Sequence, residues 1–115
     1  MPRILLAEDD DSLRGFLTRA LERAGFEVTA CADGEAAAAV IDEPWDLLLT
    51  DIVMPGMNGL ALAAQVHHFM PSIRVIFMSG FVEDYRVELS GSVCLSKPFS
   101  IALLLATVRG AETAR

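Results

Sequence analysis

The stretch DLLLTDIVMPGMNG, residues 46–59, decides how this chain is read. An apolar run through Leu49 and Thr50 ends on a carboxylate, Asp51, and the chain then breaks at Pro55, Gly56, Asn58 and Gly59. A short, nearly continuous apolar run is the pattern of a strand covered on both faces of a parallel sheet. In such sheets, ligands meet the chain at the carboxyl ends of the strands. The position of Asp51 is therefore the place to look for chemistry.

Outward from this stretch, apolar runs alternate with amphipathic ones. Strands are predicted at 3–7, 27–31, 46–50, 73–78 and 93–95. Helices are predicted at 11–24, 34–42 and 59–69, weakly at 82–89, and at 100–111. Gly25 closes the first helix, Asp33-Gly34 opens the second, and Pro44 and Pro71 stop the second and third. Five βα units imply an α/β fold with a doubly wound, five-stranded parallel sheet. With 115 residues, 53% of them hydrophobic, the chain has the material for a single core. Residues 1–115 are read as one domain, with no linker or repeat.

Composition narrows the function classes. The formal net charge is −7, and the nine Lys and Arg residues are scattered, which argues against direct nucleic-acid binding. No apolar run approaches the roughly 20 residues of a membrane span, and no signal pattern opens the chain. A cytoplasmic protein is expected. Cys31 and Cys94, each in an apolar setting, are read as reduced thiols.

The predicted strand ends carry Glu8-Asp9-Asp10-Asp11, then Asp51, Ser79-Gly80 and Ser96-Lys97-Pro98. Carboxylates from Glu8, Asp9 and Asp51 converging on one edge would repel one another unless a cation sits between them. Hard oxygen donors with open positions suit Mg²⁺. Lys97 and Ser79 would add a point charge and a hydroxyl, the equipment for stabilising a transferring phosphoryl group. Asp51 is then the nucleophile of an aspartyl phosphate. Each signal has a plainer reading: four acids can simply start a helix, and Ser-Gly or Lys-Pro can simply turn a chain. Their joint placement at four strand ends favours the site.

The stretches RILLAEDDDSLR, LLLTDIVMPGMNGL, VIFMSGF and LSKPF, in this order and spacing, resemble receiver domains of two-component response regulators, from Arg3 to about Val108. That resemblance implies a flavodoxin/CheY-like fold. It implies Glu8 and Asp9 as the acidic pair, Asp51 as phosphoryl acceptor, and the Val53 carbonyl as a further Mg²⁺ ligand. Ser79 and Lys97 would bind the phosphoryl oxygens, with a cis peptide before Pro98. A histidine kinase or histidine phosphotransferase is the implied donor, and an output protein the implied partner. The chain is then a signalling domain that promotes its own phosphorylation and slow dephosphorylation, not an enzyme. Several stretches are most similar to CpdR-type stand-alone receivers, which act as adaptors for the ClpXP protease. VIFMSGFVED equally resembles the receiver of CckA-type hybrid kinases. The start at a methionine and the end soon after the last helix favour a free-standing protein.

Two positions depart from the family pattern. Cys94 stands where many receivers carry an aromatic switch residue, and the segment between Gly80 and Cys94 is short, so a shortened or irregular fourth helix is expected. Val53 and Phe81 lie where the family controls water access to the acyl phosphate. Both are apolar, which predicts slow dephosphorylation. The last helix carries Ile101, Leu103, Leu104, Leu105 and Val108, more apolar surface than one stripe needs, and points to a homodimer or partner face. Three other classes fit the residues less well: a flavin or nucleotide module, a phosphatase with an aspartate nucleophile, and a receiver-like module that is never phosphorylated. The acidic loop after the first strand opposes the first, Val53 in place of a second acid the second, and the complete set of site residues the third.

Overall fold

The computed structural model describes residues 1–86, 88, 89 and 91–113. Its strands are β1 (Arg3–Ala7), β2 (Glu27–Cys31), β3 (Leu47–Asp51), β4 (Arg74–Ser79) and β5 (Val93–Ser96). They form one sheet in the order β2-β1-β3-β4-β5, and every pairing is parallel. The helices are α1 (Asp11–Arg23), α2 (Gly34–Ala38), α3 (Gly59–Phe69) and α4 (Ile101–Thr113). The doubly wound α/β architecture is the expected one.

Alternation along the strands builds two cores. Leu5, Leu48 and Phe77 face α2 and α3, meeting Ala37, Ile41, Leu62 and Val66. Ile4, Leu6, Leu47, Leu49, Ile76 and Met78 face α1 and α4, meeting Leu17, Leu21, Leu104 and Val108. Successive strand side chains point to opposite faces, so a strand sandwiched between two helical layers is apolar along most of its length, as Leu47, Leu48 and Leu49 of β3 are. All five residues of β3 are buried. Each fully buried Leu or Ile contributes roughly 1.5–3 kcal/mol.

The sheet's winding reverses between β1 and β3. β1 leads through α1 outward to β2, whereas β3 leads through α3 to β4 in the other direction. Adjacent connections part there and leave a crevice above the carboxyl ends of the two strands. Glu8 follows β1 and Asp51 ends β3, so the reversal places both acids at the crevice.

One helix differs from expectation, and the predicted fourth is irregular as expected. α2 stops at Ala38 instead of reaching residue 42. Val40 and Ile41 donate to the carbonyls three residues back, and the Trp45 indole N–H captures the Val40 carbonyl at 2.8 Å. That tighter turn ends the helix before Pro44. The weak helix predicted over 82–89 is a 3₁₀ segment, Val82–Tyr85, followed by turns; residue 87 of that stretch lies outside the described residues. Leu89 is nonetheless buried in the core on the α3 side. On α4, Leu104 and Val108 are buried, while Ile101 and Leu103 are 41% and 49% exposed. Among the described residues no helix is long and apolar enough to cross a membrane.

Candidate functional site

The four acids after β1 divide by geometry. Glu8 is fully buried, and its amide donates to the Cys31 carbonyl at 3.1 Å, continuing the β1–β2 ladder. Asp9 is exposed at the crevice. Asp10 caps α1, its carboxylate accepting from the amides of Ser12 and Leu13 at 3.0 and 3.4 Å, which commits it to the helix. Asp11 pairs with Arg14 at 2.6 Å in the first turn. That leaves Glu8 and Asp9, the pair the family resemblance implies, without a role in the helix start.

Asp51 ends β3 and is buried apart from 6% of its surface. One carboxylate oxygen from each of Glu8, Asp9 and Asp51 lies within 4.8 Å of the others. Lys97 follows β5 and reaches across the sheet ends. Its Nζ donates to Glu8 Oε1 at 2.8 Å and to Asp51 Oδ2 at 3.0 Å. Its backbone N–H donates to the Ser79 carbonyl at 2.9 Å, tying the end of β5 to the end of β4. The Lys97–Pro98 peptide is cis. Ser79 is 1% exposed, and its Oγ accepts from the Phe81 amide at 2.9 Å. Val53, two residues past Asp51, is 49% exposed at the mouth of the crevice.

One lysine therefore serves two nearly buried carboxylates, with a third acid beside them. Burial pushes the Glu8 carboxyl up, and the Asp51 charge adds to that; hydrogen bonds from Lys97 and the Asp10 amide only partly offset it. Burial works against the Lys97 ammonium, yet hydrogen bonds to Glu8 and then Asp51 outweigh it and hold Lys97 above its ordinary value. The two directions are compatible: the lysine gains from two anions, while each anion has only a share of one cation. The cluster carries three formal negative charges against one positive. An all-oxygen donor set with that surplus fits a hard divalent cation such as Mg²⁺.

The structure thus brings together Glu8, Asp9, Asp51 and Lys97, and sets Ser79 on the neighbouring strand end. Three contacts escaped the sequence. Arg14 Nη1 donates to the Glu8 carbonyl at 3.0 Å. Glu35 accepts from the Met57 amide at 3.0 Å. Gly59 packs so closely on the Asp51 carbonyl that a Cβ could not be accommodated. Only the last has a local signal, an Asn-Gly pair at a helix start, with Asn58 accepting from Ala61 N at 2.9 Å. Cys31 and Cys94 are free and half-buried, as expected for reduced thiols, and burial raises both.

The described family "Response regulator receiver domain" matches residues 4–109. The Response regulator receiver protein CpdR of Brucella abortus (strain 2308) is 44% identical over 107 residues, covering 88% of this chain and 88% of that protein. Sensor kinase CckA of the same organism is 35% identical over 92% of this chain, which spans 12% of that longer protein. Among solved structures, the receiver domain from the hybrid histidine kinase CckA superposes with TM-score 0.84 at 33% identity, covering 96% of this chain and 99% of that one. Response regulator TrrA from Thermotoga maritima, in complex with Mg²⁺-BeF, superposes with TM-score 0.87 at 26% identity, covering 96% and 99%. On its own sequence and on these relatives, the chain belongs to the response regulator receiver domain family.

Proposed function

We propose that residues 1–115 form one receiver unit that accepts a phosphoryl group on Asp51 from a histidine kinase or histidine phosphotransferase in the cytoplasm. The observation that carries this reading is the convergence of the Glu8, Asp9 and Asp51 oxygens within 4.8 Å, bridged by Lys97. In the transfer, the donor's N–P bond breaks and an Asp51 carboxylate oxygen forms the new O–P bond. The electron pair of the broken bond returns to the imidazole. Mg²⁺, held by Glu8, Asp9, Asp51 and the Val53 carbonyl, would neutralise charge on the phosphoryl oxygens. Lys97, drawn up between two carboxylates, remains charged and can follow the phosphoryl group. Ser79 already accepts from Phe81, so its own hydroxyl proton is free to be donated to a phosphoryl oxygen.

The output we propose is a change in protein binding. Likeness to CpdR over 88% of both chains supports a regulator that works through partner proteins, with control of proteolysis as its specific form. A second reading, a receiver belonging to a hybrid kinase, is favoured by the 33% identity to the CckA receiver across almost its full length. Intact mass after incubation with a small acyl phosphate and Mg²⁺ tests the transfer. Wild type should gain one phosphoryl group and Asp51→Ala none; an adduct persisting in Asp51→Ala would overturn the assignment. Capture of partners by phosphorylated and unphosphorylated protein then separates a protease adaptor from a kinase relay.

A further inference from the structure

Residues 52–58 carry the chain from Asp51 into α3 and include Val53. The two ends of this loop are tied locally: the Ile52 amide donates to Met78 and the Gly59 amide to the Ile52 carbonyl, at 3.0 and 2.8 Å. The tip is tied from outside, by the first turn of α2. Glu35 Oε2 accepts the Met57 N–H at 3.0 Å. Gly56, at φ +74°, lies under the same carboxylate, and a Cβ there would stand 2.5 Å from Glu35 Oε2. Gly34 backs onto the Met57 carbonyl too closely to admit a side chain. The turn bearing Glu35 is itself anchored, because Asp33 accepts from the Ala36 amide at 2.8 Å.

We propose that Glu35 is a positioning residue for the divalent-cation site: its carboxylate clamps the tip of the 52–58 loop and so fixes the backbone that offers the Val53 carbonyl. An acid in a first helical turn needs no partner, since the helix dipole alone favours it. The dipole does not explain why the Met57 amide is aimed at this carboxylate, or why Gly34 lets the loop pack directly against the turn that bears it. A hydrogen bond from a fixed amide to an anchored acceptor preorganises the loop before any ligand arrives. The proposal rests on the phospho-accepting reading, because it assigns Glu35 a role toward the Mg²⁺ site.

The test compares wild type, Glu35→Ala and Glu35→Gln as full chains. Three quantities are measured: hydrogen exchange of the Met57 amide, Mg²⁺ affinity by calorimetry, and the melting temperature. Glu35→Ala should unprotect the Met57 amide and weaken Mg²⁺ binding about fivefold, the effect of one hydrogen bond of ordinary net strength. Glu35→Gln, whose side-chain carbonyl can accept the same bond, should stay within about twofold of wild type. Unchanged Mg²⁺ affinity in Glu35→Ala, even with a lowered melting temperature, overturns the proposal. Equal losses in both variants overturn it too, since they would trace the effect to charge and not to the clamp. A wild type that binds no Mg²⁺ sinks the phospho-accepting reading together with the proposal.

Discussion

Asp51→Asn is expected to stabilise the metal-free protein by about 1–3 kcal/mol near neutral pH, although it removes a partner of Lys97. Glu8 and Asp51 oxygens lie within 4.8 Å, a repulsion of roughly 3 kcal/mol at the effective dielectric of a protein site. The exposed Asp9, within the same distance, adds a smaller repulsion of the same sign, weakened by its hydration. Lys97 at 3.0 Å attracts the Asp51 carboxylate by roughly 5 kcal/mol, of which an asparagine carbonyl accepting the same hydrogen bond retains a part. These two terms nearly cancel. What remains is the cost of holding an ionised carboxylate at 6% exposure, several kcal/mol, offset in part by the cost of burying the amide that replaces it, which leaves about 1–3 kcal/mol.

The pH dependence carries a second signature of the same balance. Glu8 is raised above its ordinary 4.5, so the folded protein binds more protons than the unfolded chain in that range. Its contribution to stability is full below the ordinary value and is lost as pH rises through the raised one. The Asp51 charge is one cause of the raise, so Asp51→Asn should flatten this decline. Mg²⁺ should narrow or reverse the ranking: wild type gains about 3 kcal/mol at a hundred times its Kd, and the variant gains less. Urea melts of both proteins across this pH range, with and without Mg²⁺, measure all three effects. A metal-free variant less stable than wild type at about pH 8 would refute the charge accounting.

Further outcomes follow from the same geometry. Val53→Asn puts a polar side chain at the exposed mouth of the site and should speed loss of the phosphoryl group about fivefold, read as decay of the adduct by intact mass; an unchanged rate opposes the water-access argument. Gly59→Ala gains up to about 1 kcal/mol of helix propensity but drives a methyl into the Asp51 carbonyl, so a net loss of about 1–2 kcal/mol in urea is expected; a gain would mean the loop yields freely. A beryllofluoride mimic should change exchange of the Phe81 amide by drawing Ser79 Oγ toward the ligand; identical exchange would remove the loop after β4 from the signal path. If α4 forms a homodimer, Leu103→Glu should convert a sedimenting dimer to a monomer; a monomeric wild type at high micromolar concentration rules that interface out.

What could be read from the sequence follows from which constraints are local. β3 was legible because a strand buried on both faces reads as a continuous apolar run, here Leu47 to Leu49, and every residue from Leu47 to Asp51 is buried. The site was legible because a parallel sheet exposes only its carboxyl edge, and Glu8, Asp51, Ser79 and Lys97 all end or follow strands. The early stop of α2 was not, since it depends on the Trp45 indole reaching back to Val40. Alanines at 36–39 offer high helix propensity, and propensity is a weak prior against such a tertiary contact. The clamp from Glu35 to Met57 joins residues 22 apart in sequence and leaves no pattern beyond glycines that read as ordinary turn formers. Nor could the sequence show that the Glu8 carboxyl is pushed up, since that follows from its burial behind the end of β1. The groups of the candidate site are thus set by strand ends, which patterning reveals. The balance that tunes them is set by contacts between βα units, Lys97 to Glu8 across 89 residues above all, and only the folded chain contains it.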